Sequence, residues 1–297
     1  MAFEGFQLSQ VDVGEVTLRV RHGGSGPPLL LLHGYPQTHM MWGQVASDLA
    51  RDFTVIAPDL RGYGGSTAAA DAEDHSSYSK RAMGRDAVAL MRHFGFERFD
   101  LAGHDRGGRV AYRLALDHPR AVRRMTILDI IPTGEVWARA DRRFALGYWH
   151  WSFLVQPFAE EIIGQDAALF FFGGQYRATV GAFGKEALAD YVESLRDPKA
   201  VHAICEDYRA GARFDRELDE EDKAAGRKIA CPVQILWGGK ARWRPGTTQW
   251  RSGGNGRAMC AARPSTAATS FRRRSPRRRW RRYAGFTARA ARGCQRS

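Results

Sequence analysis

The sequence predicts an α/β fold, a mostly parallel sheet with an inserted helical cap. Three observations carry that expectation. Leu29-Leu30-Leu31-Leu32 is a continuous apolar run, the pattern of a strand buried on both faces of a parallel sheet. Strand-like and helix-like segments then alternate as far as residue 131, a spacing that gives parallel strands joined by right-handed crossovers. Residues 133–225 abandon that rhythm for aromatic-rich helical segments, and strand character returns only at 232–238. A helical insertion at such a place caps the carboxyl edge of the sheet, where ligands of open α/β sheets bind.

Taken in order, residues 6–13 and 16–22 alternate apolar and polar side chains as half-exposed strands do, with Gly14-Glu15 turning between them. The Leu29 run ends in His33-Gly34-Tyr35-Pro36-Gln37, and the pattern predicts a helix over 41–50. Residues 53–57 form the next buried strand, closed by the loop that begins Pro58-Asp59-Leu60-Arg61-Gly62. Met83, Ala87, Leu90, Met91 and Phe94 share one face of a helix over 79–94. A short buried strand at 99–102, a glycine-framed turn and a helix through 110–116 follow, and then a buried strand over 125–131 carrying Asp129. The chain accordingly divides into a first core part at 1–132, a cap at 133–225, a returning core strand at 226–240 and a tail at 241–297.

A length of 297 residues suits one large α/β domain with such an insertion. The first ten residues have neither the basic nor the apolar segment of a signal peptide, and no apolar run approaches a membrane span. Cys205, Cys231, Cys260 and Cys294 are scattered without a Cys-x-x-Cys pair, which argues against a disulfide scaffold and against a zinc site. A reducing cytoplasm is the expected location. The net charge of +13 belongs to the tail: residues 241–297 hold sixteen arginines and no Lys, Asp or Glu. Without those sixteen, 29 basic face 32 acidic residues. The same tail has no Leu, Ile or Val, so it is expected to be disordered.

The chemistry centres on Gly103-His104-Asp105-Arg106-Gly107-Gly108-Arg109. Small residues flanking a reactive one between strand and helix form a nucleophile elbow, which pushes the apex side chain out beside the free N–H groups of a helix N-terminus. The apex is Asp105. A carboxylate nucleophile suits an alkyl carbon or an epoxide better than ordinary ester chemistry. The alternative is an Asp that merely caps the helix. Arg106 and Arg109, three apart at the helix start, can both face the apex, and a guanidinium fork fits a carboxylate.

His33-Gly-Tyr-Pro-Gln, Asp59-Leu-Arg-Gly-Tyr-Gly, Gly103-His-Asp-Arg-Gly-Gly-Arg and Tyr148-Trp-His-Trp together resemble the α/β-hydrolase fold and, more narrowly, the haloacetate (fluoroacetate) dehalogenases, over about residues 3–239. That resemblance implies conversion of a haloacetate to glycolate and halide through an ester on Asp105, without metal or organic cofactor. It assigns Arg106 and Arg109 to the substrate carboxylate, His150, Trp151 and Tyr208 to the halide, and Asp129 to the acid that orients a histidine base. In this fold the backbone N–H groups of Tyr35 and Arg106 make the oxyanion hole. On their own, the aromatics at 148–151 read equally as core packing. His33 and His104 read as structural, holding their loops by hydrogen bonds; Asp59 and Asp117 are weaker candidates for the acid. The implied partners are a small haloacid and water, with a homodimer allowed.

The resemblance also implies a C-terminal helix, strand and Gly-His motif, yet the last histidine of this sequence is His202, and with the tail composition the final strand and helix are expected to be missing or disordered. The tail composition reads as a GC-rich coding region translated out of frame, which translation of the other two frames beyond codon 240 checks. Two other readings remain open. An epoxide hydrolase shares the Asp elbow but needs two cap tyrosines as acids and has no use for the two arginines. A degenerate hydrolase would bind polyanions, nucleic acid included, non-specifically through the arginine runs at 272–274 and 277–279.

Overall fold

The computed structural model describes residues 2–177 and 180–236. Strands β1 (Gln7–Asp12) and β2 (Thr17–Gly23) form an antiparallel hairpin, and β3 (Pro28–Leu32) is buried along its whole length. There follow α1 (Ala46–Leu49), β4 (Thr54–Pro58), α2 (Lys80–His93), β5 (Phe99–His104), α3 (Arg106–Asp117) and β6 (Val122–Leu128). After β6 come α4 (Thr133–Ala138), α5 (Arg142–Gly147), α6 (His150–Phe153), α7 (Ala159–Gly164), a π-helical turn (Leu169–Gln175), α8 (Lys185–Ser194), α9 (Pro198–Ala212) and α10 (Phe214–Ala224). Strand β7 (Val233–Leu236) then rejoins the sheet.

The seven strands lie in the order β1-β2-β4-β3-β5-β6-β7. From β4 through β7 every pairing is parallel. Alternation along β3 divides the core: Leu30 and Leu32 pack with Met83, Leu90 and Val110, whereas Leu29 and Leu31 pack with Trp42, Ala46 and Leu49. Full burial of each leucine contributes about 1.5–3 kcal/mol, so β3 anchors both layers.

Three elements differ from the periodicity. The helix expected over 41–50 is a 3-10 turn (His39–Trp42) followed by the four-residue α1. The Thr38 hydroxyl donates to Asp190 at 2.5 Å while accepting from the Met40 amide, and this tertiary anchor starts the turn early. Strand β6 begins and ends three residues before the expected 125–131, because Asp129 adopts φ 59° and turns the chain. The strand expected over 232–238 is described only as far as Leu236. The Arg-rich tail and the expected loss of the last strand and helix lie outside the described residues. No described helix is long and apolar enough to cross a membrane.

The parallel strands β3, β5 and β6 all end at the same edge, delivering Tyr35, Asp105 and Asp129 there. Gly107 makes this possible, since a Cβ on it would lie 2.4 Å from the His33 carbonyl oxygen and 2.5 Å from that of Leu32. Gly107→Ala is expected to lower stability by about 3 kcal/mol through backbone displacement. Gly164→Ala, where a Cβ meets nothing within 4 Å, serves as the near-neutral control. Thermal melts of both variants check this, and an unchanged Gly107→Ala transition would contradict the close approach.

Candidate active site

Between β5 and α3, Asp105 adopts φ 46° and ψ −115°. Such backbone costs of the order of 1–3 kcal/mol and persists only where the surroundings enforce it. Here the Gly107 amide donates to the His33 carbonyl at 2.8 Å, and the Arg109 amide donates to the Asp105 carbonyl at 3.0 Å. Asp105 thus stands at the N-cap position of α3, but its side chain makes no capping hydrogen bond. The carboxylate instead accepts the Tyr35 amide on Oδ2 at 3.1 Å. Helix capping is therefore not what this aspartate does. The Arg106 amide, first of α3, is one of the donors that helix geometry leaves without an intrahelical partner.

The two arginines differ in a way the sequence does not show. Arg106 is fully buried and faces Asp207 of α9: Nε donates to Oδ2 at 2.8 Å, and Nη2 donates to the Asp207 carbonyl at 2.6 Å and to Oδ1. Burial opposes its charge, yet Asp207 holds Arg106 well above the ordinary arginine value. Arg106 Nε and Nη2 are committed to Asp207. Nη1 alone is left, buried and without a hydrogen-bond partner. Arg109 is also buried, but its Nη1 donates only to the Ile131 carbonyl at 2.8 Å and to the Thr133 hydroxyl at 3.4 Å. Its Nε is buried without a partner. Burial lowers its pKa, with attraction from Asp105 the leading opposing influence.

The helical segment supplies an aromatic wall around these cations. The Trp151 ring lies 4.6 Å from the Arg109 guanidinium carbon and 5.8 Å from that of Arg106, while Tyr208 lies 4.2 Å from Arg106. Tyr208 meets Trp151 edge-on at 5.7 Å and Tyr35 at 5.1 Å, and His150 stacks on Tyr35 at 5.6 Å with an interplanar angle of 3°. His150, Trp151 and Tyr208 thus share one neighbourhood with Asp105. Burial pushes His150 down to about 4, so its ring is neutral at physiological pH. Tyr176, which the sequence reading passed over, also lies beside Tyr35, at 6.2 Å between rings, and the Asp105 charge adds to the effect of burial in raising its pKa. Nothing in the local sequence Gly173-Gly-Gln-Tyr marks it.

Asp129 follows Leu128, whose carbonyl accepts the Asp105 amide at 3.3 Å, and its own amide donates to Leu236 at 2.9 Å. It therefore stands at the site edge between β5 and β7. Asp59 is spent on the His39 amide and ring, on Arg19 and on Gly65, and Asp117 pairs with Arg81 and Arg113. His33 accepts the Leu60 amide and bonds Gly34, as a loop-holding residue should. The Nδ1 of His104 is buried without a hydrogen-bond partner. His202 bridges Asp71 and Glu160. Among the described residues, no group of three or more His, Cys, Asp and Glu could hold a metal ion.

Residues 27–204 match the family model for the alpha/beta hydrolase fold. The chain belongs to the α/β-hydrolase family. This hydrolase is 50% identical over 241 residues to a fluoroacetate dehalogenase of Burkholderia sp., covering 80% of this chain and 79% of that protein. It is 37% identical over 226 residues to a soluble epoxide hydrolase of Corynebacterium sp., covering 73% and 75%. A crystal structure of the protein ALR0039 from Nostoc sp PCC 7120 superposes with a TM-score of 0.78 at 46% identity, covering 80% of this chain and 83% of that one.

The neutral His150 has a measurable consequence. The unfolded chain takes up a proton on this ring below its ordinary value near 6.5, whereas the folded chain refuses it until about 4. The stability associated with His150 is therefore full above pH 6.5 and falls on acidification through that window. Asp219, pushed up to about 6 by burial, contributes with the opposite sign, losing stability as pH rises from 3.8 towards 6. A whole-protein melt mixes the two effects, so NMR titration of the His150 ring is the direct measurement. A midpoint near 4 is expected; one near 6.5 would contradict a desolvated, neutral ring.

Proposed function

We propose that this protein removes halide from a small α-haloacetate, with Asp105 as nucleophile. One observation carries the reading: beside Asp105, one nitrogen of each of two arginines is unspent. Arg106 Nη1 and Arg109 Nε are buried without partners. Arg21, Arg113 and Arg123 each carry one such nitrogen elsewhere, but only Arg106 and Arg109 lie against one ring, Trp151, beside Asp105, so this pair suits an anionic ligand. The similarity to a fluoroacetate dehalogenase supports the same substrate class.

In this reading the substrate carboxylate bridges Arg106 Nη1 and Arg109 Nε, which sets the α-carbon before Asp105. An Asp105 oxygen attacks that carbon, the carbon–halogen bond breaks, and halide leaves towards the His150, Trp151 and Tyr208 donors as charge develops. The product is an ester on Asp105. Water then attacks the ester carbonyl while the Tyr35 amide, already 3.1 Å from Oδ2, and the Arg106 amide stabilise the oxyanion. This second step needs a general base, which Asp129 would orient, and the sequence contains no histidine after His202.

A second reading is epoxide opening. It is favoured by the two phenols, Tyr208 and Tyr176, that flank Tyr35 beside Asp105, and by the similarity to an epoxide hydrolase. The buried arginines count against it, because a neutral epoxide leaves both unsatisfied.

Incubation with fluoroacetate and chloroacetate, with halide release and the mass of the Asp105 peptide as readouts, tests the proposal. Halide should approach one per chain, with a persistent carboxymethyl group on Asp105, absent in Asp105→Asn. Arg109→Met should slow adduct formation by about a hundredfold, as expected for loss of a buried charge contact. Continued turnover would contradict the loss of the base. Adducts from styrene oxide but not from either haloacetate would favour epoxide opening instead.

A further inference from the structure

We propose that Asp207 on α9 is the positioning residue that shapes Arg106 into half of an anion site, so that docking of this helix and assembly of the site are one event. The inference rests on the haloacetate reading above. The Asp207 carboxylate is fully subscribed: it takes Arg106 through Nε and Nη2, the Lys80 ammonium, and the Tyr63 hydroxyl at 2.7 Å. Lys80 also reaches Asp215 at 3.4 Å, and none of these four charged side chains is more than 2% exposed. The next residue of the same helix, Tyr208, covers Arg106 at 4.2 Å. Adjacent residues on α9 thus grip the guanidinium at its edge and over its face, leaving Nη1 as its one uncommitted nitrogen.

The charges give this arrangement its purpose. Arg106 and Lys80 balance Asp207 and Asp215, and Arg109 stands opposite Asp105. A haloacetate arriving beside Asp105 brings a second negative charge, which Arg109 Nε and Arg106 Nη1 share in the reading above. Were Asp207 paired with Arg106 alone, it would cancel the Arg106 charge. Lys80 draws on the same carboxylate, so Asp207 is shared between two cations, and Arg106 keeps Nη1 for the ligand. Lys80 belongs to α2 and Asp207 to α9, so the anion site exists only when the two helices meet.

A structural role for Asp207 would slow every substrate alike, whereas a positioning role is specific to negative charge. The test measures adduct formation on Asp105 against concentration for chloroacetate and for chloroacetamide, its neutral analogue, in the full chain and in Asp207→Asn. The half-saturating chloroacetate concentration should rise about tenfold or more, with the limiting rate changed less than about threefold and chloroacetamide hardly affected. Tyr63→Phe removes one hydrogen bond to Asp207 while conserving volume, and it should shift chloroacetate in the same direction by about twofold. It keeps the test decisive if Asp207→Asn does not fold. Equal losses for both compounds, or an unaltered preference for the anion, would overturn the proposal. Absence of any adduct in the wild-type chain would instead overturn the haloacetate reading on which it rests.

Discussion

A buried ion pair between residues 101 positions apart, Arg106 and Asp207, joins the sheet edge to the helices above it. Isolated charges of this kind are costly to bury, and removing one partner of a buried pair typically costs about 3–5 kcal/mol. The fold accepts that liability beside its strained turn. The pair is surrounded by groups that reduce the cost: Lys80 and Tyr63 complete the Asp207 carboxylate, and Tyr208 and Trp151 cover the guanidinium. These contacts make the helical segment part of the site.

The turn itself follows from the sheet. β3 and β5 pair in parallel, with Leu32 beside Gly103, so the chain leaving each strand reaches the same edge. The His33 carbonyl then accepts the Gly107 amide, and the Tyr35 amide meets the Asp105 carboxylate. Two loops far apart in sequence thus hold one strained residue and one charged side chain together. A side chain at Gly107 would separate them.

Much of this was legible from residues alone. The Leu29–Leu32 run, the glycine-framed Asp105 and the change of rhythm after residue 132 each carry a local signal, periodicity or turn chemistry, that needs no tertiary information. The unequal fates of Arg106 and Arg109 carried none. Three apart on one helix, they look equivalent, and only a partner from α9 separates them. Asp207 was hidden beside Tyr208 because a buried ion pair leaves no periodic trace, and Tyr176 directly follows a π-helical turn that breaks the usual spacing. The broken helix after β3 failed for a similar reason, since the Asp190 carboxylate that pins Thr38 lies 152 residues away.

Asp105, the unspent guanidinium nitrogens and the aromatic side chains form one continuous neighbourhood, with the single described hydrogen bond to the Asp105 carboxylate coming from Tyr35. The central claim is that this neighbourhood orients a haloacetate with its carboxylate on the arginines and its halogen towards the aromatic donors. A crystal structure of Asp105→Asn with chloroacetate measures that orientation directly. The account expects the carboxylate oxygens within hydrogen-bond distance of Arg106 Nη1 and Arg109 Nε, and the chlorine directed at His150, Trp151 and Tyr208. A carboxylate bound away from both arginines would contradict it.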